Sequence, residues 1–258
     1  MSKKTMFNDE WKYWIWNNIK NGVNKKEIFK ILIENNYDSD VICNELNYDV
    51  NKNMDFNSII IPNGIRFNSD KALIFTIDNF MSDEECSKII ELTKSNLKPS
   101  KITGDGKDTS FRTSYSCDLY NNCSIINDIE KRISDTLNIC PSYGESMQSQ
   151  YYKIGNQFKL HTDYFEPFTD EYINNASING NRTWTFMIYL NNVQEGGCTF
   201  MKELDYRVKP ERGKALLWYN LKSNGDVNPH TLHAGEPIIK GEKYIITKWF
   251  RIKKYKIK

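Results

Sequence analysis

From Pro141 onward the chain breaks into short strand-like segments, SMQSQYYKI, TWTFMIYLNNV, GGCTFM, KALLWYNL and EKYIITKWFRIK. Gly, Asn and Pro turns separate them, a spacing that predicts antiparallel strands closing into a sandwich or barrel. Ahead of this β core the pattern is mostly helical. LIFTI reads as one strand, and Ser82-Asp-Glu-Glu85 is a capping box opening a helix through Ile89, Ile90 and Leu92. Ile125, Ile126, Ile129, Ile133 and Leu137 mark a second helix at 3.6-residue spacing.

Residues 1–52 carry a separate helical pattern. Trp11, Trp14, Ile15 and Ile19 share one face, and Asn21-Gly22 is a stop. Asn24 is placed to cap the next helix, with Glu27 at the capping-box position and Ile28, Ile31 and Leu32 as its stripe. Val41, Ile42 and Leu46 suggest a short third helix. The expected organisation is α+β: a small helical module over 1–52, a polar linker over 53–71, and a second domain over 72–258. The module reads equally as an appendage packed on that domain or as a unit that recruits a partner or substrate.

Charge narrows the partners. Lys and Arg number 35 against 33 acids, for a net +2. Arg251, Lys253, Lys254, Lys256 and Lys258 crowd the last eight residues, leaving a net-negative body, so nucleic acid is not an expected partner. No apolar run approaches the ~18–20 residues of a membrane span. The opening MSKKTMFNDEW has no apolar h-region behind its lysines. Cysteines 43, 86, 117, 123, 140 and 198 are scattered, without a CxxC pair. Together these predict a reduced, intracellular and cytoplasmic chain with no membrane association. Abundant Asn, Ile, Lys and Tyr read as AT-rich coding bias, as in a viral or protist genome.

The chain has three histidines, at 161, 230 and 233. In His161-Thr162-Asp163 the imidazole and carboxylate stand at i and i+2, which on a strand share one face. His233, in Thr231-Leu-His-Ala-Gly235, lies between two strand-like segments. Two histidines and one carboxylate form the facial triad that holds non-haem Fe(II) and leaves positions open for a co-substrate and O₂. No Cys or His at ligand spacing completes a zinc site.

With these residues stand FMSDEEC, FRTS, QYYKIGNQFKLHTDYF, GGCTF, VKPERGKALLW and LHAGEPIIKGEKYIITKWF, in that order. Residues 72–252 thereby resemble the prolyl 4-hydroxylase family of Fe(II)/2-oxoglutarate dioxygenases. The resemblance implies a double-stranded β-helix (jelly roll) flanked by helices. It assigns Fe(II) to His161, Asp163 and His233, and favours His233 over His230, a loop histidine. It assigns the distal carboxylate of 2-oxoglutarate to Lys243, with Tyr152 and Thr199 hydrogen-bonding it. Lysyl hydroxylases and nucleic-acid demethylases of this fold use arginine where Lys243 stands. On the substrate side it points to Arg112, Ser114, Glu145, Arg182 and Trp249, around a proline-containing peptide. The family often has Tyr three residues before the first iron-binding His, where this chain has Phe158.

The implied reaction consumes O₂ and 2-oxoglutarate, releases succinate and CO₂, and leaves 4-hydroxyproline, with ascorbate restoring oxidised iron. Two alternatives stand beside it: a 2-oxoglutarate hydroxylase acting on another residue or a small molecule, and a non-catalytic binding module of the same fold.

Overall fold

The computed structural model describes residues 3–46, 54–101, 110–120 and 123–255. It divides into two compact units, one of Met1–Ser58 with Leu221–Val227, the other of Ile59–Asn220 with Asn228–Lys258.

The first unit is built on α1 (Asp9–Lys20), α2 (Lys25–Glu34) and α3 (Ser39–Leu46). None is long enough to be stable alone in water, and each is held by a shared core of Ile15, Ile28, Leu32, Tyr37, Ile42 and Leu46. Asn8 caps α1 through the Trp11 amide. At α2 the capping box expected at Glu27 does not form. The Asn24 side chain accepts instead from the Lys26 amide, so the second helical N–H, not the third, is the one satisfied. Leu221–Val227, a hairpin drawn from far along the chain, completes the unit, and Lys25 Nζ lies 2.5 Å from Asp226 Oδ1.

The second unit is an α+β jelly roll. Its larger, eight-stranded sheet runs β1 (Ile65–Arg66), β2 (Ile74–Ile77), β11 (Ala215–Tyr219), β7 (Arg182–Tyr189), β14 (Lys243–Arg251), β5 (Met147–Tyr152), β4 (Tyr115–Leu119), β3 (Lys98–Pro99). The four-stranded sheet runs β10 (Tyr206–Val208), β9 (Thr199–Met201), β12 (His233–Gly235), β6 (Phe158–His161). A small pair, β13 (Ile238–Lys240) with β8 (Glu195–Gly196), completes the set, and every pairing is antiparallel. β1 lies inside the stretch read as a linker. Two residues carry no periodicity, so a strand of that length leaves no mark in the sequence.

The core packs between the two sheets. Met187, Tyr189, Leu216 and Trp218 of the larger one meet Met201 and Val208 of the smaller. The helices α4 (Asp83–Lys94) and α5 (Ser124–Leu137) bond to the larger sheet from outside the core. Thr93 of α4 donates to Ser149 Oγ of β5 at 2.7 Å, and Lys248 of β14 donates to Glu130 of α5 at 2.6 Å. The capping box at Ser82 and Glu85 is formed. All nine residues of β14 are buried, because both of its faces are covered. A short helix, α6 (Asp170–Asn175), lies between β6 and β7.

Candidate active site

β6 and β12 pair directly, with His161 opposite His233. That register, with Asp163 two residues past His161, brings His161, Asp163 and His233 together with ligand atoms within 4.8 Å of one another. His161 Nε2 lies 3.9 Å from Asp163 Oδ1, and His233 Nε2 lies 4.0 Å from Oδ2. Each Nδ1 meets a carbonyl oxygen, that of Lys159 at 2.7 Å and that of Thr231 at 2.8 Å. A carbonyl only accepts, so each Nδ1 donates a proton there, and each Nε2 is left on the side of Asp163. Burial, and next the neighbouring His233, hold the His161 imidazole well below its ordinary pKa, hence neutral. Burial opposes ionisation of Asp163, but His233, His161 and Arg182 outweigh it and keep the carboxyl below its usual value. Two imidazoles and one carboxylate fit a divalent iron with open positions.

A chain of hydrogen bonds holds Asp163. Thr185 donates to Oδ2 at 2.7 Å, Asn220 Nδ2 donates to Thr185 at 2.9 Å, and the Trp218 indole donates to Asn220 Oδ1 at 3.0 Å. Sequence reading missed all three, although Thr185 and Asn220 are polar residues in the apolar phrases TWTFMIY and ALLWYN, a usable signal.

The cavity beside the cluster is lined along β14 by Lys243, Ile245, Thr247 and Trp249, every second residue of one strand. β5 adds Gln150 and Tyr152, and β7 adds Thr185 and Met187. Lys243 is 1% exposed, and its Nζ donates to the Gly197 carbonyl at 2.8 Å and lies 4.5 Å from the Tyr152 ring centroid. Among the described residues no carboxylate is within ion-pair distance of it. Burial pushes its pKa down to about 8, with Cys198 and Glu236 opposing. A buried, unpaired ammonium is costly unless a ligand supplies the counter-charge. Gly197 stands at φ +72°, where a Cβ would meet Ile238 Cδ1 at 2.6 Å, so the carbonyl that receives Lys243 requires glycine.

Tyr152 and Thr199 line the same cavity. Thr199 accepts from the Tyr189 hydroxyl at 2.7 Å, which leaves its own hydroxyl proton to donate onward. Tyr152 donates to Gln150 Oε1 at 2.8 Å. Arg112 and Trp249 also line it, and Trp249 Nε1 is buried without a partner among the described residues, a donor left for a ligand. Ser114 receives Arg112 Nε at 3.2 Å. Glu145 and Arg182 are absent from the lining and bond each other in two contacts, at 2.6 and 2.8 Å. Arg251 approaches the same carboxylate at 2.6 Å, and Arg182 stacks 4.1 Å from the Trp249 ring centroid. Phe158 stacks on His161 at 3.4 Å. His230 sits in the turn Pro229–Thr231 and is not part of the cluster.

Comparison with known proteins gives consistent matches. Residues 147–251 match the model of the 2OG-Fe(II) oxygenase superfamily. The chain is 34% identical over 207 residues to a probable prolyl 4-hydroxylase 3 of Arabidopsis thaliana, covering 71% of this chain and 70% of the relative. It is 33% identical over 203 residues to prolyl 4-hydroxylase 5 of the same plant, covering 69% and 68%. Among solved structures it is similar to the viral collagen prolyl hydroxylase of Paramecium Bursaria Chlorella virus-1, solved as a 2OG complex. There the TM-score is 0.55 at 26% identity, over 69% of this chain and 95% of that one.

Proposed function

This chain belongs to the prolyl 4-hydroxylase family of 2OG-Fe(II) oxygenases, and on that premise we infer that it hydroxylates proline in a peptide or protein. The observation that carries the reading is one cavity holding both the His161–Asp163–His233 cluster and the unpaired ammonium of Lys243. Bound Fe(II) with 2-oxoglutarate supplies the oxidation of proline C4 by O₂, 2-oxoglutarate leaving as succinate and CO₂.

The protein's part is positional. His161 and His233 would present Nε2 to the metal, each fixed by its Nδ1–H on a carbonyl. Asp163 would supply the anionic ligand, steadied by Thr185. Lys243 would receive the distal carboxylate of 2-oxoglutarate, with the Tyr152 and Thr199 hydroxyls beside it. Met187 and Ile245 make this part of the cavity apolar, which strengthens that ion pair. On the substrate side Trp249 offers a flat face for a proline ring, and Arg112 and Ser114 would orient the peptide. Glu145 and Arg182, engaged with each other, would act by holding Trp249 in place.

No helix among the described residues is long and apolar enough to cross a membrane. The test is incubation with Fe(II), ascorbate, O₂ and 2-oxoglutarate, with and without a proline-rich peptide. Succinate release coupled to a 4-hydroxyproline product supports the reading. Succinate release that no proline peptide stimulates favours a different substrate.

A further inference from the structure

Arg112 lines the cavity, and among the described residues its guanidinium bonds only neutral acceptors. They are Ser114 Oγ at 3.2 Å, the Lys101 carbonyl at 3.1 Å and Gln148 Oε1 at 3.0 Å. A guanidinium carries five N–H donors, so among the described residues one N–H on each terminal nitrogen has no acceptor. Burial pushes the group below the ordinary arginine value, with Tyr152 and Asp163 opposing, and among the described residues no carboxylate bonds it directly. The neighbouring cluster adds to the surplus. There a single carboxylate, Glu145, answers both Arg182 and Arg251, and Arg182 lies against the ring of the cavity-lining Trp249.

The other end of the cavity carries no such excess once loaded. The charges of divalent iron, doubly anionic 2-oxoglutarate, Asp163 and Lys243 cancel. Among the described residues, positive charge is therefore left without a bonded carboxylate on the side of Arg112, next to Trp249. A cation held out of water gains most from a partner that is itself charged and directly bonded.

Resting on the reading that the substrate is a proline-containing peptide, we propose that this peptide is acidic. An Asp or Glu side chain within a residue or two of the target proline would bond Arg112. Reach supports that spacing. The Arg112 guanidinium carbon lies 4.8 Å from the Phe158 ring centroid, and the same ring stacks on His161 of the metal cluster. An extended peptide advances ~3.3–3.6 Å per residue, so the carboxylate belongs on a close neighbour of the proline and not on a distant residue.

The test compares two labelled proline peptides that differ only in Glu against Gln beside the proline. Their affinities are measured by fluorescence anisotropy on protein loaded anaerobically with Fe(II) and 2-oxoglutarate, where no turnover is needed. The Glu peptide is expected to bind at least about tenfold tighter, with the ratio shrinking as ionic strength rises. Arg112→Gln keeps a hydrogen-bonding side chain and should bring the ratio close to one, while Arg112→Lys should retain part of it. Equal affinities in the wild type, no measurable binding of the Glu peptide, or discrimination that survives Arg112→Gln would each overturn the proposal. The parent reading is judged separately, by admitting O₂ to the Gln peptide. If 2-oxoglutarate turns over without hydroxyproline, proline hydroxylation fails, while the binding ratio still decides the role of Arg112.

Discussion

Lys243 and Lys248 are the same residue type on the same strand, yet they do opposite work. Lys243 faces the cavity with no carboxylate partner among the described residues, so in the absence of 2-oxoglutarate its charge is a burden on the fold. Lys243→Met should therefore raise the stability of the ligand-free protein by ~1–3 kcal/mol. The same change should weaken 2-oxoglutarate binding by ~2–5 kcal/mol. Chemical denaturation and calorimetric titration measure the two effects, and a variant that loses both stability and affinity would contradict the assignment. pH separates them as well. The folded protein releases the Lys243 proton near pH 8, whereas the unfolded chain holds it to about 10.5. The unfolded state thus binds more protons across that window, so ligand-free stability gains from this residue as pH rises. The affinity for 2-oxoglutarate falls over the same window, because a neutral amine cannot pair with its carboxylate. At this scale the sequence is informative about the candidate metal and 2-oxoglutarate residues, since HTD, weak by itself, stands in one chain with LHAG and the lysine in EKYIIT. It is nearly silent about Thr185, Asn220 and Tyr189, whose roles depend on which strands become neighbours. His233→Ala should abolish iron-dependent turnover and His230→Ala should largely keep it, read as succinate release. The reverse pattern would move the ligand.

At the scale of elements, β14 explains how one strand can serve chemistry and support together. Its odd-numbered residues from 243 to 249 line the cavity, while Lys248 turns away to bond Glu130 on α5. Both partners of that pair are almost fully buried. Removing one charge leaves the other desolvated, so Lys248→Met should cost ~3–5 kcal/mol of stability. The double change Lys248→Met with Glu130→Leu should recover most of the loss, since it removes both charges and keeps apolar bulk. 2-Oxoglutarate affinity per folded molecule should be unchanged in either, which thermal melts and titration can check. The alternation itself was not legible in YIITKWF, because a strand covered on both faces reads as a continuous apolar run. The turns and the two long helices were legible, through capping and 3.6-residue spacing. The two-residue strands were not, and neither was the choice at α2, where one Asn oxygen took the nearer amide.

Across the whole molecule, the least legible feature is that Leu221–Val227 belongs with the N-terminal helices. Lys25 and Asp226 are far apart in sequence, and no local pattern in KKEIF or SNGDV announces a pairing. The hairpin has its own closure. Lys222 N–H donates to the Asp226 carbonyl at 2.7 Å, and Leu221 bridges Val227. At its base Asn228 N–H donates to the Asn220 carbonyl at 3.0 Å within the jelly roll. Asn220 leads through Thr185 to Asp163, and the Asn228 carbonyl holds Thr231, whose own carbonyl receives His233 Nδ1. The base of the hairpin thus supports two of the three candidate metal ligands, whereas its tip is engaged in the helical unit. Disturbing tip and base should separate these roles. Charge reversal at the tip, Asp226→Lys, should cost about 1 kcal/mol or less of stability, recovered when Lys25→Asp is added, and leave metal affinity unchanged. Asn220→Ala at the base leaves the buried Trp218 N–H without its acceptor and Thr185 without its donor. It should cost ~1–3 kcal/mol of stability and lower Fe(II) affinity by about 10–100-fold. Anaerobic metal titration and thermal melts of the three variants decide it. If Asp226→Lys lowered metal affinity as far as Asn220→Ala, this separation of tip from base would be wrong.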